Sequence, residues 1–363
     1  MKHLLRICVV CSIILGLASL TSGQDGSTRA EFDCLRMSTT AGGGVPGKPE
    51  PFVSYHHVWT PGLSYGSFKS NGLNLTYETQ GTGNEVVVVV HGGAGLPHEY
   101  FHPVLSNLMP YAKLVYFDRR ADMLSTGSSQ RMATLEEMSD DIEALRQALG
   151  VDSVTLFGHS FGGAIALNYA LRHPANVKRL ILVSAAAAIE NPYEAEKRIL
   201  KTLTPAEMTI YSSNEGGTGA ASPCDRVRRR YGVLYRHYFH KLIPYEFDRG
   251  VYTAYFDAFA KKQALASDDS GADVEAQLSG IRVPVLIIAG KHDLVTPPDQ
   301  STELARGLPQ SKLVVMEHSA HFPFFEENYL FTQWVRQFMA STSKSLDERV
   351  SHASAAGATN AAR

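Results

Sequence analysis

The chemistry-bearing residues of this chain begin with Gly158-His159-Ser160-Phe161-Gly162, which follows an apolar run at Ser153–Phe157 and opens a helical pattern. A serine hydroxyl is a poor nucleophile. It must be held rigidly, in the open, beside a base. A tight strand–turn–helix elbow meets that need, and its crowding requires small residues two before and two after the serine, here Gly158 and Gly162. The bland alternative is a serine that caps the helix. Such an elbow predicts the chain order serine, then acid, then histidine. Asp293 stands in Gly290-Lys291-His292-Asp293 after the apolar run Val285–Ala289, and His321 stands in Ser319-Ala320-His321-Phe322-Pro323 after Lys312–Met316. His318 and His292 are the weaker rivals for the base. The chemistry of such a set is acyl transfer. His321 takes the Ser160 proton during attack on a carbonyl carbon and later protonates the leaving group, while Asp293 fixes the imidazole tautomer.

The negative oxygen formed in that attack needs donors. One is the backbone N–H of Phe161, at the start of a helix whose dipole favours negative charge. The second is expected from His91-Gly92-Gly93-Ala94-Gly95, where glycines let backbone approach a substrate oxygen. Gly93 is the favoured donor, with Gly92 and Ala94 as rivals and a plain glycine turn as the bland reading.

These loops must be carried by strands and helices. Glu85–Val90 holds five consecutive valines, a pattern for a strand buried on both faces, and Lys113–Phe117, Ser153–Phe157, Arg179–Val183 and Val285–Ala289 are runs of the same kind. Thr134 with Glu137 forms a capping box for a helix whose apolar stripe is Leu135, Met138, Ile142, Leu145 and Leu149, stopped by Gly150. A second helix starts after Ser160 and ends before Pro174; a third carries Leu330, Phe331, Trp334, Val335 and Phe338 on one side. Alternating strands and helices predict an α/β fold with a mostly parallel central sheet flanked by helices, and right-handed crossovers put the loops after the strands on one edge. Residues 191–280 break the alternation. They read as an inserted helical cap, with Tyr231, Tyr235 and Tyr238, and then Tyr252, Tyr255, Phe256 and Phe259, at helical spacing. Such stripes serve packing first, although a cap over the catalytic edge makes some of them pocket walls.

The resulting organisation is a leader over 1–23, an irregular extension over 24–65, a core over 66–190 and 281–340, the cap over 191–280, and a disordered tail over 341–363. Lys2 and Arg6 before the apolar run Ile7–Leu20, followed by Thr21-Ser22-Gly23, match a cleaved secretory signal, so a secreted or periplasmic protein is expected. Cys8 and Cys11 leave with that leader. Cys34 and Cys224 remain, and an oxidising compartment would let them pair. A net charge of -2 with 19% charged residues gives no electrostatic case for nucleic acid or an anionic membrane, and Arg226, Arg228, Arg229 and Arg230 read as a solvated helix face. No metal or organic cofactor is suggested by any ligand cluster or phosphate-cradling loop. The partner is a small molecule or a short peptide.

From about Ser67 to Met339 these motifs resemble the α/β-hydrolase superfamily, and within it the proline iminopeptidase group of serine peptidases. That group's His-Gly-Gly-Pro-Gly loop is echoed by His91 to Gly95, and its Asp-x-Arg-Gly-x-Gly-x-Ser segment by Asp118 to Ser125. The resemblance implies the α/β-hydrolase fold with its helical cap, supports Ser160, Asp293 and His321 by position, and implies an aminopeptidase that releases N-terminal proline or a similar residue. The departures are Ala94 for the proline, Ala121 and Met123 for two glycines, and His159 and Phe161 at the elbow. Glu246, Asp248 and Asp257 are the cap acids available to hold a substrate amine, without a motif to single one out. Two other function classes stand beside the peptidase: a carboxylic-ester hydrolase using the same three residues, and a non-catalytic binding protein on the same scaffold.

Overall fold

A computed structural model describes residues 62–93, 98–120, 133–187, 192–212, 232–241 and 274–341. The leader, both mature cysteines, Ala94, Gly95, the segment Ala121–Ser125, the arginine cluster, Tyr231, the aromatics from Tyr252 to Phe259, the three cap acids and the tail from residue 342 lie outside the described residues.

The five-valine run forms β3 (Glu85–Val90), and its alternation decides the layering of the molecule. Val88 and Val90 point into one apolar cluster, Val87 and Val89 into another on the opposite face. A strand covered on both sides has no polar face to show, and each fully buried valine contributes roughly 1.5–3 kcal/mol. The flanking strands are β1 (Ser64–Ser70), β2 (Leu73–Gln80), β4 (Ala112–Phe117), β5 (Val154–His159), β6 (Val177–Val183), β7 (Val285–Gly290) and β8 (Ser311–Met316). They form one sheet in the order β1-β2-β4-β3-β5-β6-β7-β8. All pairings from β4 to β8 are parallel; β1 pairs antiparallel with β2, and β2 with β4. This leading hairpin lies outside the strands expected above, and β1 opens within the extension read as irregular, because its buried positions include the polar Ser70, Glu78 and Gln80.

Helix α1 (Leu135–Ala148) starts on the expected capping box: the Glu137 N–H donates to Thr134 Oγ1 at 3.2 Å and the Thr134 N–H to Glu137 Oε2 at 2.9 Å. Leu135, Met138, Ile142 and Leu145 are buried, and Gly150 ends the helix at φ 66°. Helix α2 (Phe161–Arg172) follows Ser160 directly. Of the span expected as a cap, the described residues include α3 (Pro192–Leu200), α4 (Pro205–Ser212) and a helical turn at 232–236, with no strand among them. Helix α5 (Pro298–Gly307) lies between β7 and β8, and α6 (328–341) closes the core. In α6 the buried side is Phe331, Val335, Phe338 and Met339; Leu330, expected on that side, is exposed, and Trp334 is half-buried with Lys312 Nζ 4.3 Å above its ring. No helix among the described residues is long and apolar enough to cross a membrane.

The strand order reverses at β3: β4 follows on one side of it and β5 on the other. Loops at the carboxyl ends of strands flanking such a reversal diverge and leave a crevice between them. The loop after β3 carries Gly92 and Gly93, and the loop after β5 carries Ser160.

Candidate active site

Ser160 sits at φ 52° and ψ -123°, a conformation that L-residues rarely adopt, directly between β5 and α2. Its N–H donates to the Val183 carbonyl at 2.9 Å, which fastens the turn to the neighbouring strand. The glycines around it are required by contact. A Cβ on Gly158 would stand 2.7 Å from the Gly162 carbonyl oxygen; one on Gly162 would overlap the Val90 carbonyl oxygen and lie 2.6 Å from that of His91. The elbow and the end of β3 therefore touch backbone to backbone. Gly92 approaches from the other side, where a Cβ would come within 3.0 Å of the Ser160 Cβ and 2.7 Å of His159 Nδ1.

The expected acid and base are paired. His321 Nδ1 donates to Asp293 Oδ2 at 2.9 Å, and both residues are buried. Asp293 Oδ1 accepts from the N–H groups of Val295 at 2.8 Å and Thr296 at 3.0 Å, so the carboxylate is held by its own turn. The Thr296 hydroxyl lies 2.8 Å from Asp293 Oδ2 and 2.8 Å from the Ser184 carbonyl, joining this loop to the end of β6. Among the described residues neither rival histidine hydrogen-bonds the Asp293 carboxylate. His318 is exposed, and His292 is exposed with its ring stacked 3.8 Å from that of His240. Among the described residues no hydrogen bond joins Ser160 Oγ to His321. Catalytic hydrogen bonds are often long without substrate and tighten when it binds.

A chain of polar groups that sequence reasoning missed ties the parts together. The Gly92 N–H donates to the Tyr100 hydroxyl at 2.8 Å, and that hydroxyl lies 2.9 Å from His159 Nδ1. His159 Nε2 lies 3.0 Å from the His321 carbonyl oxygen, which can only accept. Nε2 is therefore the protonated nitrogen, Nδ1 accepts from Tyr100, and every donor in the chain has one acceptor. Burial, with the charge of His321 second, holds His159 well below the ordinary histidine range, so the neutral form persists. Burial likewise raises the Tyr100 hydroxyl pKa, keeping it a proton donor. Nothing in the spacing of Tyr100 marks it, since its two partners come from distant segments, the loop after β3 and the end of β5.

The same chain engages one of the candidate donors to the negative oxygen. The Gly92 N–H is occupied by Tyr100. Gly93 lies at φ 59° with its carbonyl accepting from Arg119 Nη2, and the Arg119 guanidinium stands 5.2 Å over the Phe161 ring. One arginine thus touches both residues expected to supply donors. Ala94, the other rival, lies outside the described residues. From the cap, the Tyr238 carbonyl accepts the His321 N–H at 2.9 Å and the Tyr238 ring meets the His321 ring edge-on at 5.5 Å, while Tyr235 packs into the core. Glu326 fastens cap to core: it accepts from the N–H groups of His240 at 2.7 Å and Lys241 at 2.9 Å with one oxygen and from Ala320 at 2.7 Å with the other.

The sequence offered no metal-ligand cluster, yet the structure gathers Glu78, His98 and His102 into one buried group. The signal that could have found the two histidines is His98-Glu99-Tyr100-Phe101-His102, imidazoles four residues apart on helical turns.

Residues 85–328 match the family model described as alpha/beta hydrolase fold. The chain is 27% identical over 313 residues, 79% of its own length and 97% of that protein, to a proline iminopeptidase of Saccharolobus solfataricus. Among solved structures it resembles proline iminopeptidase of Mycobacterium smegmatis, with TM-score 0.64 at 19% identity over 78% of this chain and 100% of that one. It also resembles the esterase EaEST of Exiguobacterium antarcticum, with TM-score 0.59 at 24% identity over 75% of this chain and 98% of that one.

Proposed function

The chain belongs to the α/β-hydrolase family, and we propose that it is a serine hydrolase of the secreted or periplasmic space that releases proline, or a similar residue, from peptide N-termini. The observation that carries the serine mechanism is the buried His321–Asp293 pair on loops at the same sheet edge as the strained elbow of Ser160. In this reading Ser160 attacks the carbonyl carbon and His321 accepts its proton, with the resulting imidazolium stabilised by Asp293. The N–H groups of Phe161 and Gly93 bind the oxyanion. His321 then protonates the leaving amine and activates the water that frees the acyl group.

The peptidase choice is supported by the named relative that aligns over nearly its whole length. A carboxylic-ester hydrolase on small or acyl esters is the second reading, favoured by Ala94, Ala121 and Met123 where the peptidase group carries proline and glycines. A fluorophosphonate probe is expected to label the wild-type chain and to leave Ser160→Ala unlabelled; labelling of that variant would remove Ser160 from the role. Comparing kcat/KM on a prolyl arylamide and a short p-nitrophenyl ester separates the two substrate classes, and a strong ester preference would sink the peptidase reading.

A further inference from the structure

Three ligand-type atoms converge beside the oxyanion loop in a place the hydrolase reading does not use. Glu78 projects from β2, His98 from the turn His98–Phe101 and His102 from the one-turn helix His102–Leu105. All three are at most 6% exposed. His98 Nε2 lies 3.3 Å and His102 Nε2 3.2 Å from Glu78 Oε2, and the three atoms all lie within 4.8 Å of one another. Two ligands bound tetrahedrally at zinc's usual 2.0–2.1 Å stand roughly 3.3–3.4 Å apart, so two of the three separations already match the edges of such a site. Behind His98, Asp118 Oδ1 lies 2.8 Å from Nδ1 and accepts the His98 N–H at 3.1 Å. A carboxylate on the far ring nitrogen fixes the tautomer in which Nε2 carries the lone pair that a metal takes, and raises its basicity.

We propose that Glu78 Oε2, His98 Nε2 and His102 Nε2 form a structural Zn²⁺ site, with Asp118 orienting His98 and a water in the fourth position. Two neutral imidazoles and a carboxylate are a donor set of the N/O type that zinc takes. The ion would clamp β2 to the segment 98–102, whose Tyr100 holds the Gly92 N–H and His159. A site so enclosed is filled as the chain folds, and its binding energy becomes folding energy. The competing arrangement is a buried ion cluster in which protonated imidazoles bond to Glu78 and Asp118 directly.

The full chain, produced in zinc-supplemented medium and dialysed against metal-free buffer, is expected to retain close to one zinc per chain by elemental mass spectrometry. Glu78→Gln and His102→Ala are each expected to retain less than a tenth of that. Should either variant fail to fold, wild-type protein answers alone: unfolded in chelator and refolded with Zn²⁺ or without metal, it should melt several degrees higher with zinc, and refolding with Co²⁺ should give the visible bands of tetrahedral cobalt. A zinc-free wild type whose melting temperature is the same after refolding with and without Zn²⁺ would establish the ion cluster and overturn the site. None of these measurements reads hydrolysis, so they stand whatever the substrate.

Discussion

The Tyr100 hydroxyl lies 2.9 Å from His159 Nδ1 while accepting the Gly92 N–H at 2.8 Å, so one phenol spans the glycine loop and the residue before Ser160. Removing that oxygen strands a buried donor and a buried acceptor, each costing about 1–3 kcal/mol. Tyr100→Phe is expected to lower the melting temperature and, by loosening the loop that carries Gly93, to reduce kcat more than it changes KM. Steady-state kinetics with thermal melts check this; an unchanged kcat would assign Tyr100 to packing alone.

Asp293→Asn should keep the fold, because an amide oxygen can still accept from the N–H groups of Val295 and Thr296. It should also leave His321 in the wrong tautomer, which in a comparable triad costs roughly 10⁴-fold in kcat. Turnover of the better of the two substrates, with circular dichroism as the fold control, tests it. A loss of less than tenfold would argue that another group orients His321.

Gly162→Ala forces a methyl group into the Val90 carbonyl oxygen, a backbone atom that cannot rotate away. Overpacking of this kind costs about 1–3 kcal/mol and should push the elbow off β3. Gly280→Ala is the control, since its new Cβ would meet only Leu171 at 3.6 Å. Melting temperatures should fall clearly for the first and little for the second; equal effects would refute the close approach.

His159 gives stability a pH dependence of known sign. Burial lowers its folded pKa, so below about 6.5, the ordinary histidine value, the unfolded chain binds a proton that the folded chain refuses. Its contribution is fully present above that value and declines on acidification, with a limiting slope of about 1.4 kcal/mol per pH unit. Chemical denaturation between pH 5 and 8 should show a shallower acid-side decline in His159→Gln than in wild type. Identical slopes would mean that His159 is protonated in the folded state.

Local signals were legible where a physical requirement acts between near neighbours. The five valines of β3 announce a strand covered on both faces, because no polar side chain is there to meet water. Thr134 and Glu137 announce a helix start, because the reciprocal bonds close within one turn. Gly158 and Gly162 announce a crowded elbow at Ser160, and chain order then pointed to Asp293 and His321, which the structure pairs at 2.9 Å.

What only the tertiary structure decided are the contacts whose partners come from different loops. Whether His292, His318 or His321 reaches Asp293 depends on how two loops leave β7 and β8: His321 bonds the carboxylate, while the His292 ring stacks on His240. The occupied Gly92 N–H was invisible for the same reason: its partner Tyr100 is placed by a separate turn. Glu78 meets His98 and His102 only because β2 lies beside β4, a pairing that no local pattern encodes. Spacing along the chain constrains what one turn or strand can do; convergence of distant side chains is set by packing of the whole sheet.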